Sequence, residues 1–104
     1  MEQILVYITT ADRAEADKIA MALVSEKLAA CANICEGIDS LFHWRGKIES
    51  SRESLCLLKS LREKFPALNK RVLELHSYET PCVVALPIID GNPDFLAWIA
   101  ESCQ

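Results

Sequence analysis

The pattern of hydrophobic residues along these 104 residues predicts an α+β sandwich, with one antiparallel sheet, helices packed on one face and an added C-terminal helix. Two short apolar runs rich in β-formers, Ile4 to Ile8 and Val83 to Ile89, sit near the two ends of the chain. Two stretches with apolar residues three and four apart lie between them and read as amphipathic helices. A long segment around a central Arg45-Gly46 turn separates those helices and reads as a two-stranded hairpin.

Taken in order, Ile4 to Ile8 is continuous in apolar side chains, as expected of a strand buried on both faces. Asp12 with Glu15 three residues later forms a capping-box pattern. Ala16, Ile19, Ala20, Leu23 and Val24 then follow at helical spacing, which predicts a helix to about Lys27. Ala30 to Ile34 is a second apolar run and predicts a strand, with Gly37 marking a bend or bulge. Ile38 to Trp44 alternates with a period of two, and Lys47 to Ser60 returns, polar at first and apolar from Leu55 onward. The tip of this hairpin carries Phe42, His43 and Trp44, large rings that need a partner to cover them. Leu61, Phe65, Leu68, Val72 and Leu75 mark one apolar helix face, and its start is either a Ser60–Glu63 capping box or Pro66 as the first helical residue, with Pro66 the better fit. Val83 to Ile89 predicts a buried strand ending near Pro87. Asn92 and Pro93 open a last helix that should turn Phe95, Leu96, Trp98 and Ile99 toward the body.

The resulting order, β-α-β-β-α-β plus a helix, is that of the split ferredoxin-like sandwich in a single domain over residues 1–104. One sheet face and the long hairpin would remain to be buried, and pairing of strand edges between subunits would do that.

Hydrophobic residues make up 51% of the chain and charged residues 25%, which suits a packed core. The net charge of -4 argues against a broad phosphate-binding surface, and no aromatic RNA-binding motif is present. Five cysteines are an odd number with no C-x-x-C spacing, so neither a complete set of disulfides nor a common zinc motif is expected. They read as reduced thiols, with Cys56 and Cys82 as packing residues, and point to a cytoplasmic chain. Met1-Glu2-Gln3 lacks the features of a signal peptide, and no apolar run nears the ~20 residues of a membrane span.

The segment Leu75 to Pro81 concentrates functional chemistry. His76 can accept a proton or bind a metal near neutral pH, Tyr78 adds a hydroxyl and a flat ring, and Glu79 adds a carboxylate. Pro81 biases Thr80 toward extended geometry, so the segment should lead straight into a strand and wall any pocket. Without a glycine-rich phosphate loop, nucleophile elbow or H-E-x-x-H motif, the chain reads as non-enzymatic.

Five segments, Glu26 to Ile34, Trp44 to Glu49, Leu57 to Lys59, His76 to Pro81 and Asp94 to Ile99, together resemble the CutA1 divalent-ion tolerance proteins, in family order over nearly the whole chain. The resemblance implies a ferredoxin-like homotrimer with paired intersubunit strands. It also implies a role in copper or other divalent-ion tolerance, with no organic cofactor. The copper ligands proposed in some members are a first-strand Cys and a His-His pair. Here Ile8 and Leu75 stand at the Cys and first His positions, leaving His76 as the metal candidate.

An intersubunit pocket is expected from Cys31, Trp44, Lys47, Lys59, Tyr78 and Glu79. Cys31 either lines that cleft or is a core thiol. Trp44 either covers the cleft or packs on a neighbouring subunit. His43 reads as a solvent-facing strand residue and Trp98 as core. The lysines mixed with Glu79 and Tyr78 suit an anionic or zwitterionic small ligand, so a ligand-binding regulatory trimer stands as the alternative to a metal-binding one.

Overall fold

The computed structural model describes residues 2–104. The elements are β1 (Gln3–Thr10), α1 (Arg13–Ser25), β2 (Cys31–Trp44), β3 (Lys47–Leu61), α2 (Phe65–Leu75), β4 (Val83–Pro87) and α3 (Pro93–Ser102). The sheet order is β2-β3-β1-β4, with every neighbouring pair antiparallel. The sandwich expected from the hydrophobic pattern is therefore the one observed.

Local chemistry sets the boundaries. The Asp12 carboxylate accepts from the Glu15 amide at 2.9 Å and caps α1. Glu15 reaches back to the Ala11 amide at 3.0 Å, one residue before the cap, so the box closes with an offset. Helix α1 stops where Lys27 takes a left-handed φ of 60°, and the amides of Leu28 and Ala29 turn back onto the Leu23 carbonyl. Helix α2 begins at Phe65 after a 3₁₀ turn over Arg62–Lys64, with Pro66 in its first turn where no amide is needed. Ser60 plays no part in that cap, because its hydroxyl donates to the Leu28 carbonyl at 2.6 Å.

The two segments expected before the turn are one strand. β2 runs through an irregularity between Cys35 and Ile38, where Gly37 has φ 74°. The positive φ is what calls for glycine here, since the nearest neighbour of an added Cβ, the exposed Arg52 guanidinium at 2.8 Å, can swing aside. Arg45 and Gly46, both at positive φ, close the hairpin between Trp44 and Lys47. The β1–β3 pairing ends at Thr10 opposite Ser54, so the hairpin beyond Glu53 projects as an arm and draws the molecule out to 44 Å.

Strand alternation sorts the sheet into two faces. Ile4, Val6 and Ile8 of β1 and Cys56 and Leu58 of β3 pack under Ile19 and Leu23 of α1 and Leu68 and Val72 of α2. The second face carries Leu5, Tyr7, Leu55 and Leu57, and only its end is covered, where Ile99 of α3 and Cys103 at its C-cap meet Leu61 and Ala30. β4 is an edge strand rather than a buried one, with Val84 49% exposed. Trp98 is not core: it is 41% exposed and stacks on an equally open Phe95 at 5.4 Å, because α3 turns Ile99, with parts of Leu96 and Ala100, inward. Cys56 is buried as expected, and burial pushes its thiol up to about 11. Cys82 is exposed, since it precedes β4 rather than entering it.

Leu58 is fully buried between the sheet and both helices. Replacing it with Ala should lower the unfolding free energy by about 2–5 kcal/mol, read as an earlier denaturant midpoint at an unchanged slope.

Candidate functional site

The segment after α2 is held from three sides. The His76 amide caps α2 through the Val72 carbonyl at 2.8 Å, and its side chain is fully buried. Nδ1 lies 3.1 Å from the Tyr78 amide, which can only donate, so Nδ1 is the acceptor. Nε2 lies 2.8 Å from the Thr9 carbonyl, which can only accept, so Nε2 carries the proton. The ring braces β1 against the loop, with the Glu15 carboxylate 3.8 Å from Nδ1. Glu15 completes the clasp by accepting the Ser77 amide at 2.8 Å with the oxygen that Ala11 leaves free. Burial drives the Glu15 carboxyl upward, but the hydrogen bonds from Ala11 and Ser77 outweigh it and hold the carboxyl below its ordinary range.

With the loop fastened, Tyr78 projects over the base of the hairpin and donates to Glu53 at 2.7 Å. Glu53 is only 7% exposed. Burial first, then the bond to Glu53, raises the Tyr78 hydroxyl well above the usual phenol range, which keeps it a donor. Between loop and hairpin runs a groove of about 790 Å³. Tyr7, Phe42, Trp44 and Tyr78 supply rings, and Glu49, Glu53 and Glu79 supply carboxylates. Arg45 at the hairpin tip lies 5.4 Å from the Trp44 ring centre and 3.5 Å from the Glu79 carboxylate. Both members of that ion pair are largely solvated, so it contributes little to stability.

Three of the six pocket residues read from the sequence, Trp44, Tyr78 and Glu79, meet here. Lys47 pairs with Trp44 across the turn, at the tip and outside the lining. Cys31 and Lys59 face each other in register farther along the sheet, with Lys59 donating to Asn33. They stand about 20 Å from Glu53, six residues along β3 at ~3.3 Å each. His43 is exposed, as expected, and also borders the groove. Glu53, Glu49 and Phe42 escaped the sequence reading. The available signal was alternation, which puts Glu49, Ser51 and Glu53 on the same face as Leu55 and Leu57.

The metal candidate His76 has both ring nitrogens committed to backbone groups, so neither lone pair is open to a cation in this arrangement. Cys31 is no companion within the chain: Thr9, beside His76, pairs with Leu55, four residues from the Lys59 row of Cys31, or about 13 Å along the sheet. Among the described residues no three His, Cys, Asp or Glu side chains converge to hold a metal ion. The residues present do not fit a copper centre built on His76.

Sheet order, projecting hairpin arm and braced loop together define a small α+β sandwich that carries its site beside the arm. The chain belongs to the family described as CutA1 divalent ion tolerance protein, whose profile matches residues 4–102. It is 44% identical over 102 residues to the divalent-cation tolerance protein CutA of Thermus thermophilus, covering 98% of both chains. It is 40% identical to the chloroplastic protein CutA of Arabidopsis thaliana, covering 97% of this chain and 56% of that longer protein. Among solved structures, the periplasmic divalent cation tolerance protein CutA of Archaeoglobus fulgidus superposes with a TM-score of 0.94 at 43% identity, covering 98% of this chain and 99% of that one. CutA1 of Oryza sativa does so at 0.96 and 38%, covering 100% and 95%.

Tyr78→Phe should cost about 1–3 kcal/mol of stability, because it strips a buried carboxylate of its donor. Glu15→Gln tests the clasp by its pH dependence. The folded-state carboxyl lies below its unfolded value, so its contribution is complete above about pH 5 and is lost as pH falls through the folded value. The stability gap between wild type and Glu15→Gln, followed by chemical denaturation, should narrow in acid.

Proposed function

We propose that this chain serves in the response to divalent cations as a non-enzymatic ligand-binding protein, assembled as a homotrimer, with the groove between the hairpin and residues 78–82 as its binding site. One observation carries the reading: a small-molecule-sized groove with aromatic walls and, in its lining, buried Glu53 bonded to half-buried Tyr78. The names of the relatives support the connection to divalent cations. The trimer is supported by the apolar side chains left open on one chain, Leu41 and Ile48 on the arm and Val84 and Leu86 on β4, next to unpaired strand edges. A catalytic role finds no base at His76, whose two nitrogens brace the loop.

Direct copper binding at His76 is the competing reading, and it requires the Tyr78 amide or the Thr9 carbonyl to be displaced. Calorimetric titration of the reduced, metal-free protein with Cu(II) and Zn(II), beside His76→Ala, separates the two, with mass measured by light scattering on the same samples. The groove reading expects a trimer mass, no metal uptake that depends on His76, and small-molecule hits in a thermal-shift screen that vanish in Trp44→Ala. One saturable copper per chain, lost in His76→Ala, would overturn it.

A further inference from the structure

We infer that the groove receives a small organic cation with a guanidinium or ammonium head, an inference that rests on the groove reading above and specifies its ligand. Within one chain Lys47 and Lys59 are not in the lining, and no Lys or Arg is. Three glutamates are there instead, and among the described residues neither Glu49 nor Glu53 has an ion-pair partner. Glu53 is almost fully buried in the lining with a phenol as its hydrogen-bond partner and no cationic side chain of its own chain beside it, a setting that a cationic ligand head would complete.

The rings give the charge its chemical preference. A cation over the face of Trp or Tyr is attracted by the ring quadrupole, more so where water is excluded. The protein already demonstrates the contact, because the Arg45 guanidinium sits over Trp44 and beside Glu79 at the mouth of the groove. A bare divalent ion fits less well. Glu49 and Glu53 leave the same strand four residues apart, about 13 Å, whereas a hard cation needs several oxygens within its first shell. An extended organic cation needs only one carboxylate at its head and can lay its chain along Phe42 and Tyr78.

Arg45 then acts as a competing internal cation. Butylguanidinium, with the neutral, near-isosteric butylurea as control, tests this by calorimetry on the full chain in its native assembly. The expected result is saturable binding of butylguanidinium that weakens with added salt, with none for butylurea. Trp44→Ala or Glu79→Gln should each weaken binding about tenfold, and Arg45→Ala should tighten it several-fold by removing the competitor. Trp44 and Glu79 are exposed, so both variants should fold, which circular dichroism checks. Equal binding of butylurea, no saturation with butylguanidinium, or weaker binding in Arg45→Ala would overturn the inference. Anionic and zwitterionic compounds screened in parallel keep the two claims apart. An anion whose binding is lost in Trp44→Ala overturns the cation and leaves the groove, whereas no Trp44-dependent hit of any charge overturns both.

Discussion

The ring of His76, buried between the Thr9 carbonyl and the Tyr78 amide, governs where the chain goes after α2. A free loop at this point would solvate its amides and drift. Here the amides of Ser77 and Tyr78 are spent on Glu15 and His76, and the ring is anchored to the last turn of β1. Tyr78 is thereby delivered to Glu53 on β3. The groove is built from the clasp outward: the start of α1 supplies the carboxylate, the end of β1 the carbonyl, and the hairpin the opposite wall.

The second constraint is a sheet covered on only one face. Helices α1 and α2 bury one face well, and α3 reaches the other only around Leu61. Leu5, Leu55, Leu57, Val84 and Leu86 are left on a largely open surface, with β2 and β4 as unpaired edges. The arm adds its own exposed side chains, and Phe95 and Trp98 add a stacked pair. Apolar surface on this scale, beside free strand edges, is the physical case for assembly. It also explains why a tryptophan expected inside a single chain lies on its surface.

Charge in the groove follows from backbone register rather than from composition. Along β3, glutamates and lysines share one face, but the groove takes the rows that hold Glu49 and Glu53, and Lys59 falls beyond it. Lys47, on the same face, stops at the tip. A segment that looks mixed in sequence is therefore acidic where it meets the loop, and Arg45 is the cation placed to answer it.

The element order, the hairpin with its Gly37 bulge and Arg45-Gly46 turn, the capping of α1 and α3, and most of the helix-covered core are legible in the chain itself, although Leu61, expected on the face of α2, ends β3 and packs against α3. Each of these rests on local signals: periodicity, cap chemistry, and the positive φ that glycine tolerates. The sequence also marked the loop from His76 to Pro81 and three side chains of the groove, because unusual chemistry beside a proline is visible without coordinates. Long-range packing alone makes His76 a brace rather than an open ligand, buries Glu53, sets Lys59 and Cys31 apart from the groove of their own chain, and leaves Trp98 exposed. Those outcomes depend on partners far apart in the chain, such as Thr9 for His76 and Tyr78 for Glu53, and on which helix face finds something to pack against. Local pattern carries no record of such long-range pairings, since the same residues in another register would meet different neighbours.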